Sequence, residues 1–367
     1  MTYRLDRRRF LASVAGASAL SGYGWAAAGA PDYLAATRRP DGRYALVGLG
    51  ADGAIFFDID LPARGHAAAA HPKRAEAVAF ARRPGSFAIV IDCVTGHTLF
   101  TLAAPLGRHF YGHGAFSADG RLLFTTENAF ETGDGRLGIW DAAGGYARLG
   151  DVSSGGVGPH DMVLLPGGKT LAVANGGIRT HPKSGREKLN LPSMRPNLAY
   201  LCVDTAAVAE IIEPPDTLRL NSIRHLAVRA DGTVAVALQW QGDPSDGVPL
   251  LAFSRPGDPD LRFCYASRPM LTAMRGYAGS VAFSGSGRQA AITSPRGGRV
   301  MAWQVAGSAP TVWHRQDVCG IAGRAQGWLA TDGLGGMAVL DETLLPTAAK
   351  RQAGAFDNHL VSLLHNT

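Results

Sequence analysis

Three histidines stand at one spacing. His113, His160 and His225 each precede a turn-forming glycine, Gly120, Gly167 and Gly232, by seven residues. Neutral imidazoles brought together from equivalent places suit a transition metal, with Fe, Cu and Zn the candidates. Glu127 or Asp161 could add a carboxylate ligand or orient an imidazole through its second nitrogen. His359, in a Asp357-Asn358-His359 run near the C-terminus, is a fourth candidate ligand. A lone histidine more often satisfies a local hydrogen bond than binds metal. Shared phase sets these apart, because no H-E-x-x-H or other local metal signature accompanies them.

The elements that would place them are short strands. One phrase recurs: an alternating strand, a Gly-bearing turn, then a second apolar strand. It reads YLAATRRPDG-RYALVGL, AVAFARRPG-SFAIVID, HGAFSADG-RLLFTTEN, HDMVLLPGG-KTLAVANGG, HLAVRADG-TVAVALQW, SVAFSGSG-RQAAITS and GIAGRAQG-WLATDG. Asp-Gly and Gly-Gly pairs supply the positive φ of tight hairpins. Further strands such as RLGIWD and RVMAWQV follow in most units. Seven such units predict an all-β, seven-bladed β-propeller of antiparallel blades. The stretch from Ala67 to Phe80 is read as an outer strand and a connection. Two β-sandwiches would not explain the repeated phrase. Gly112-His113 and Trp140-Asp141 are similar to one WD-repeat unit, but no other unit has both halves.

Counting back seven from each turn glycine gives Ala35, Val78, His113, His160, His225, Ser280 and Gly320. These positions start the innermost strands and ring one mouth of the central channel. The second strand returns to that mouth, so Asn128, Asn175 and Gln239 join the candidate binding residues, with His109 and Tyr111 nearby. The longest insertion, NGGIRTHPKSGREKLNLPSMRPN, leaves from the same face and carries Arg179, His181, Lys183, Arg186, Lys188 and Arg195. Its cations either hold a carboxylate or phosphate or form a solvated loop.

Composition narrows the classes. The chain has 367 residues, of which 46% are hydrophobic and 18% charged, which excludes a disordered chain. Arg7-Arg8-Arg9-Phe10-Leu11 followed by an uncharged, Ala- and Gly-rich run predicts a twin-arginine export signal over residues 1–28. A membrane anchor is the alternative for that run. The mature propeller would then span 29–367 in the periplasm, with no transmembrane segment. The signal holds four arginines against Asp6, so removing it lowers the net charge from +6 to +3 and weakens any case for nucleic acid. Cys93, Cys202, Cys264 and Cys319 form no C-x-x-C pair and read as buried small hydrophobes, with disulfide pairing left open.

The phrases RHFYGHGAFSADGRLLFTTEN, GVGPHDM, ANGGIRTHPKSGREKLNL and NSIRHLAV, with the twin-arginine start and the terminal DNH, resemble the bacterial export family called domain of unknown function 1513. The resemblance covers essentially the whole mature chain. It implies a periplasmic seven-bladed propeller whose genes neighbour those of imelysin-like iron-uptake proteins and dihaem peroxidase-like proteins. By association it implies periplasmic iron-uptake or redox partners, and it carries no reaction. Residues matching its motifs are His113, Glu127, Asn128, His160, Asn175, His181, Arg186, Lys188, Asn190, Arg224 and His225.

The leading expectation is a binding or accessory propeller for iron or another transition metal, with a His-lined channel mouth. A propeller enzyme, lactonase-like or an oxidoreductase acting on a small anionic substrate, is one alternative. A protein-interaction platform is another. Histidine rings sharing one focus would favour metal, one perturbed His in a closed pocket would favour an enzyme, and dispersed rings would favour a platform.

Overall fold

The protein is described by a computed structural model covering residues 22–82, 87–185 and 187–363. The twin-arginine run, Gly85 and Arg186 lie outside these residues. Seven four-stranded antiparallel sheets form the blades of a β-propeller. Among the described residues no helix is long and apolar enough to cross a membrane. Six sheets run in chain order from the channel outward. Blade 1 is closed by both ends of the chain: the C-terminal strand Ala355–Ser362 lies innermost, against Tyr33–Arg38, followed by Tyr44–Leu49 and Ile55–Leu61.

Each apolar face is buried against the next blade. Seven separate hydrophobic clusters result, one per blade boundary; Leu34, Ile59, Ala77 and Ile91 belong to that between blades 1 and 2. Phe80, Val90, Phe110 and Trp140 join blades 2 and 3. Phe356 and Leu360 of the C-terminal strand close the circle against Ala322 and Leu329 of blade 7. Radial stacking buries what one small sheet cannot bury alone. The four cysteines are free thiols, with Cys93 and Cys319 buried and Cys202 and Cys264 half-buried.

The turn glycines Gly42, Gly120, Gly167, Gly232, Gly287 and Gly327 all have φ between 68° and 88°. In blades 3 to 7 they join the innermost strand to the second. In blade 1 the same phrase joins the second strand to the third, so Ala35 lies one strand farther out than the spacing suggests. Blade 2 slips likewise. The stretch read as an outer strand and a connection covers most of the innermost strand Gly65–Ala70 and of the second strand Glu76–Ala81, which carries Val78.

Blade 2's first turn has no glycine. His71 closes it instead: the ring Nδ1 accepts the N–H groups of Lys73 and Arg74 at 3.0 and 2.9 Å. Its Nε2 must then carry the proton, which it donates to the Gly120 carbonyl at 3.1 Å. Burial, with Arg74 second, pushes the His71 pKa down to about 4, which keeps this ring neutral. Trp25, in the short 3-10 turn Trp25–Ala28 just before the expected cleavage point, donates to the His71 carbonyl at 2.9 Å.

Candidate metal centre

With blades 1 and 2 in their observed places, the equivalent innermost-strand positions are His359, His66, His113, His160, His225, Ser280 and Gly320, from blade 1 to blade 7. Five of seven are histidine, on five successive blades. In all five of these strands the pairing with the second strand slips at or beside the histidine. Blade 7 slips at Gly320 as well, so the slip marks the mouth position rather than histidine itself; blade 6, which offers Ser280, pairs without one. A bulge frees a residue from the ladder and re-aims its side chain, here toward the axis.

The five rings pack as one cluster. His66 lies 5.0 Å from His113 and 4.7 Å from His359, centroid to centroid. His113 and His359 are 5.0 Å apart. His160 lies 5.2 Å from His113 and 4.7 Å from His225, and His225 lies 4.5 Å from His359. Three imidazoles on a tetrahedral ion, with M–N near 2.05 Å, would have centroids about 5.2 Å apart. One nitrogen from each of His66, His113 and His359 falls within 4.8 Å of the others, and the same holds for His113, His160 and His225.

Asp161 fixes the histidine common to both triads. Its Oδ1 lies 3.0 Å from His113 Nδ1, and its two oxygens accept the backbone N–H groups of Met162 and Leu226. His113 Nδ1–H therefore donates to the carboxylate, leaving Nε2 as the basic nitrogen, 3.2 Å from His66 Nε2. Carboxylate-oriented imidazoles of this kind are typical of metal ligands. His225 Nδ1 stands 4.0 Å from the other Asp161 oxygen.

The remaining rings have buried nitrogens without a hydrogen-bond partner: Nδ1 of His66, His160 and His225, and Nε2 of His359. Each such atom carries a desolvation cost of about 1–3 kcal/mol. Burial first, then neighbouring histidines and arginines, pushes His66, His160, His225 and His359 well below the ordinary 6.5. Arg82 acts on His66 and His359, and Arg224 on His160 and His225. The four stay neutral at pH 7, the form that ligates metal.

Gly112 makes room for the cluster. Its φ is +103°, and a Cβ there would stand 2.7 Å from His66 Cδ2. Gly112→Ala is expected to displace the His66 ring, lower metal affinity and reduce the melting temperature. Metal titration and thermal melts of the variant would check this; unchanged affinity would show that His66 is not a ligand.

The other sequence candidates divide. Asp161 belongs to the centre, and Lys188 and Arg224 line a small cleft of about 60 Å³ beside it, with Tyr111 and Thr180. Lys188 is shifted below its ordinary value by burial and by the positive charges of Arg224 and Arg296. Glu127 is not brought to the histidines. It is fully buried, held by both Arg148 nitrogens at 2.7 and 2.9 Å, with Arg108 at 3.5 Å. Asn128 Nδ2 donates to the Thr180 carbonyl and anchors the long insertion. Asn175 bonds Ser154 and Asn197 in a buried network, and Asn190 ties Arg179 to Gly177. His181 caps the turn Pro182–Ser184 and lies against Phe130. Gln239 Nε2 donates to the Ala278 carbonyl. These residues shape the mouth rather than line the centre.

His66 was absent from the sequence candidates. Its signals were the Gly-His pair shared with Gly112-His113, and its place seven residues before the turn residue Lys73.

Residues 59–363 match the family described as "Protein of unknown function (DUF1513)". The chain belongs to the DUF1513 family. Among curated proteins none matches this DUF1513 sequence. Two of the solved structures that share the fold illustrate it. Hydrazine synthase from Kuenenia stuttgartiensis aligns with a TM-score of 0.58 and 12% identity, over 85% of this chain and 90% of that one. BamB from Moraxella catarrhalis aligns with a TM-score of 0.55 and 13% identity, over 90% of this chain and 85% of that one. At such identities they speak for the propeller alone, and the histidine centre must be read on its own chemistry.

Proposed function

We propose that this DUF1513 chain is a periplasmic metal-binding propeller, exported by its twin-arginine signal, that serves iron or other transition-metal acquisition as a binding or accessory component. The observation that carries the reading is the focus of five histidines from five successive blades, four of them with orphaned ring nitrogens and one oriented by Asp161. Rotation of one otherwise satisfied histidine would explain one orphaned ring, not four. A protein-interaction platform would leave these rings dispersed, and a general base needs one perturbed histidine rather than four. Neutral imidazoles suit Fe, Cu or Zn; iron-uptake or redox proteins of the same compartment would be the partners.

A bound ion would supply Lewis acidity or redox capacity. The chain's own part is to hold neutral donors in place and to exclude water from them. Titration of the metal-free protein with Zn(II), Cu(II) and Fe(II), read by calorimetry, tests this directly. Wild type is expected to take up at least one of these ions. Asp161→Asn keeps the shape but loses the charge that orients His113, and should weaken uptake about 10- to 100-fold. Equal affinity in both proteins, or no uptake by wild type, would overturn the proposal.

A further inference from the structure

A second cleft at the mouth is not used by the metal centre. It encloses about 530 Å³ above blades 1, 2, 6 and 7. Four arginines line it against two aspartates, Asp317 and Asp357, a net of two positive charges. Arg38 ends the second strand of blade 1, Arg64 and Arg82 flank the inner strands of blade 2, and Arg296 follows the second strand of blade 6.

An internal carboxylate already shows what two of these arginines recognise. Asp357 lends its carboxylate to Arg64 Nε at 2.6 Å and Arg82 Nη1 at 2.7 Å, one oxygen to each. That pair consumes one donor from each guanidinium, while Arg64 stays half exposed. Arg38 and Arg296 are exposed and make no ion pair among the described residues. Arg296 is instead laid over the Tyr277 ring at 4.3 Å, which fixes its fork at the cleft wall.

We infer that this cleft binds a small di- or tricarboxylate. A single phosphate or acetate would satisfy only one cluster of donors. Carboxylates on a short carbon chain can meet arginines that arise from separate blades, each by a two-pronged hydrogen bond. The cleft adjoins the centre, because Arg64 precedes His66 by two residues and Asp357 precedes His359 by two. A carboxylate ligand seated here would therefore lie beside the His66–His113–His359 triad. Its source is either a free metabolite or the chelator of an arriving metal; the shared chemistry is the carboxylate.

The inference stands apart from metal binding and is tested on metal-free protein. Succinate, citrate, acetate and inorganic phosphate are titrated by calorimetry into wild type, Arg38→Ala, Arg296→Ala and, as a surface control, Arg351→Ala. Succinate and citrate should bind wild type and the control equally. Each cleft substitution should weaken them about tenfold, the equivalent of ~1.4 kcal/mol. Acetate should bind far more weakly throughout. A second titration on metal-loaded protein separates the sources: a gain for citrate but not succinate marks a chelator, and equal behaviour marks a free acid. No binding of either acid, tighter binding of phosphate, or indifference to both cleft substitutions would overturn the inference. Carboxylate binding by a protein that takes up no metal would sustain it while defeating the metal proposal.

Discussion

Replacing His113, His160 and His225 together by alanine is expected to abolish metal uptake while leaving the propeller folded. These side chains fill the channel mouth, whereas the fold rests on seven apolar clusters between blades, to which none of them belongs. Truncation also removes the orphaned ring nitrogens of His160 and His225, which offsets part of the lost packing. A ligand present at a hundred times its dissociation constant stabilises the native state by about 2.7 kcal/mol. Wild type should therefore melt several degrees higher when metal is added, and the triple variant should not respond. A variant that still gains the full shift would remove these three residues from the centre.

The second large effect is acid lability of the metal-free protein. His66, His160, His225 and His359 have folded pKa values well below 6.5, while the unfolded chain takes up its protons near 6.5. Below that pH the unfolded state binds more protons, so stability is whole above about 6.5 and is lost as the pH falls. Each histidine contributes a slope of up to about 1.4 kcal/mol per pH unit, and four together up to about 5.5. His71, shifted down to about 4, adds in the same direction. Thermal melts between pH 7.5 and 5 should show a steep fall starting near 6.5, and His160→Ala with His225→Ala should flatten it. A melting temperature that stays level to pH 5 would contradict burial of neutral rings.

How much of this was legible in the sequence depends on local turn chemistry. Glycine turns repeat in the units, and their positive φ gave the blade count and the phase of His113, His160 and His225. Blade 2 hid its histidine because His71 rather than a glycine closes its first turn, and blade 1 draws its inner strand from the far end of the chain. Both displacements moved the counted positions to the second strands, at Ala35 and Val78, and His66 went unseen. His359 was reached through the terminal DNH run instead. Strand ends indicate the mouth but not which way a side chain turns. Glu127 and Asn175 thus share the sequence setting of mouth residues, yet point into buried networks whose partners, Arg148 and Asn197, come from other strands. The cleft arginines Arg38, Arg64 and Arg82 became recognisable only once blades 1 and 2 had their true order.

The five clustered histidines are expected to hold a metal in the exported protein. Elemental analysis of protein purified after export by its own route tests it most directly, with the His113→Ala, His160→Ala, His225→Ala variant prepared in parallel. The expected result is Fe, Cu or Zn near or above one ion per wild-type chain and a background level in the variant. Wild-type protein free of all three metals, or a variant with the same content, would contradict it.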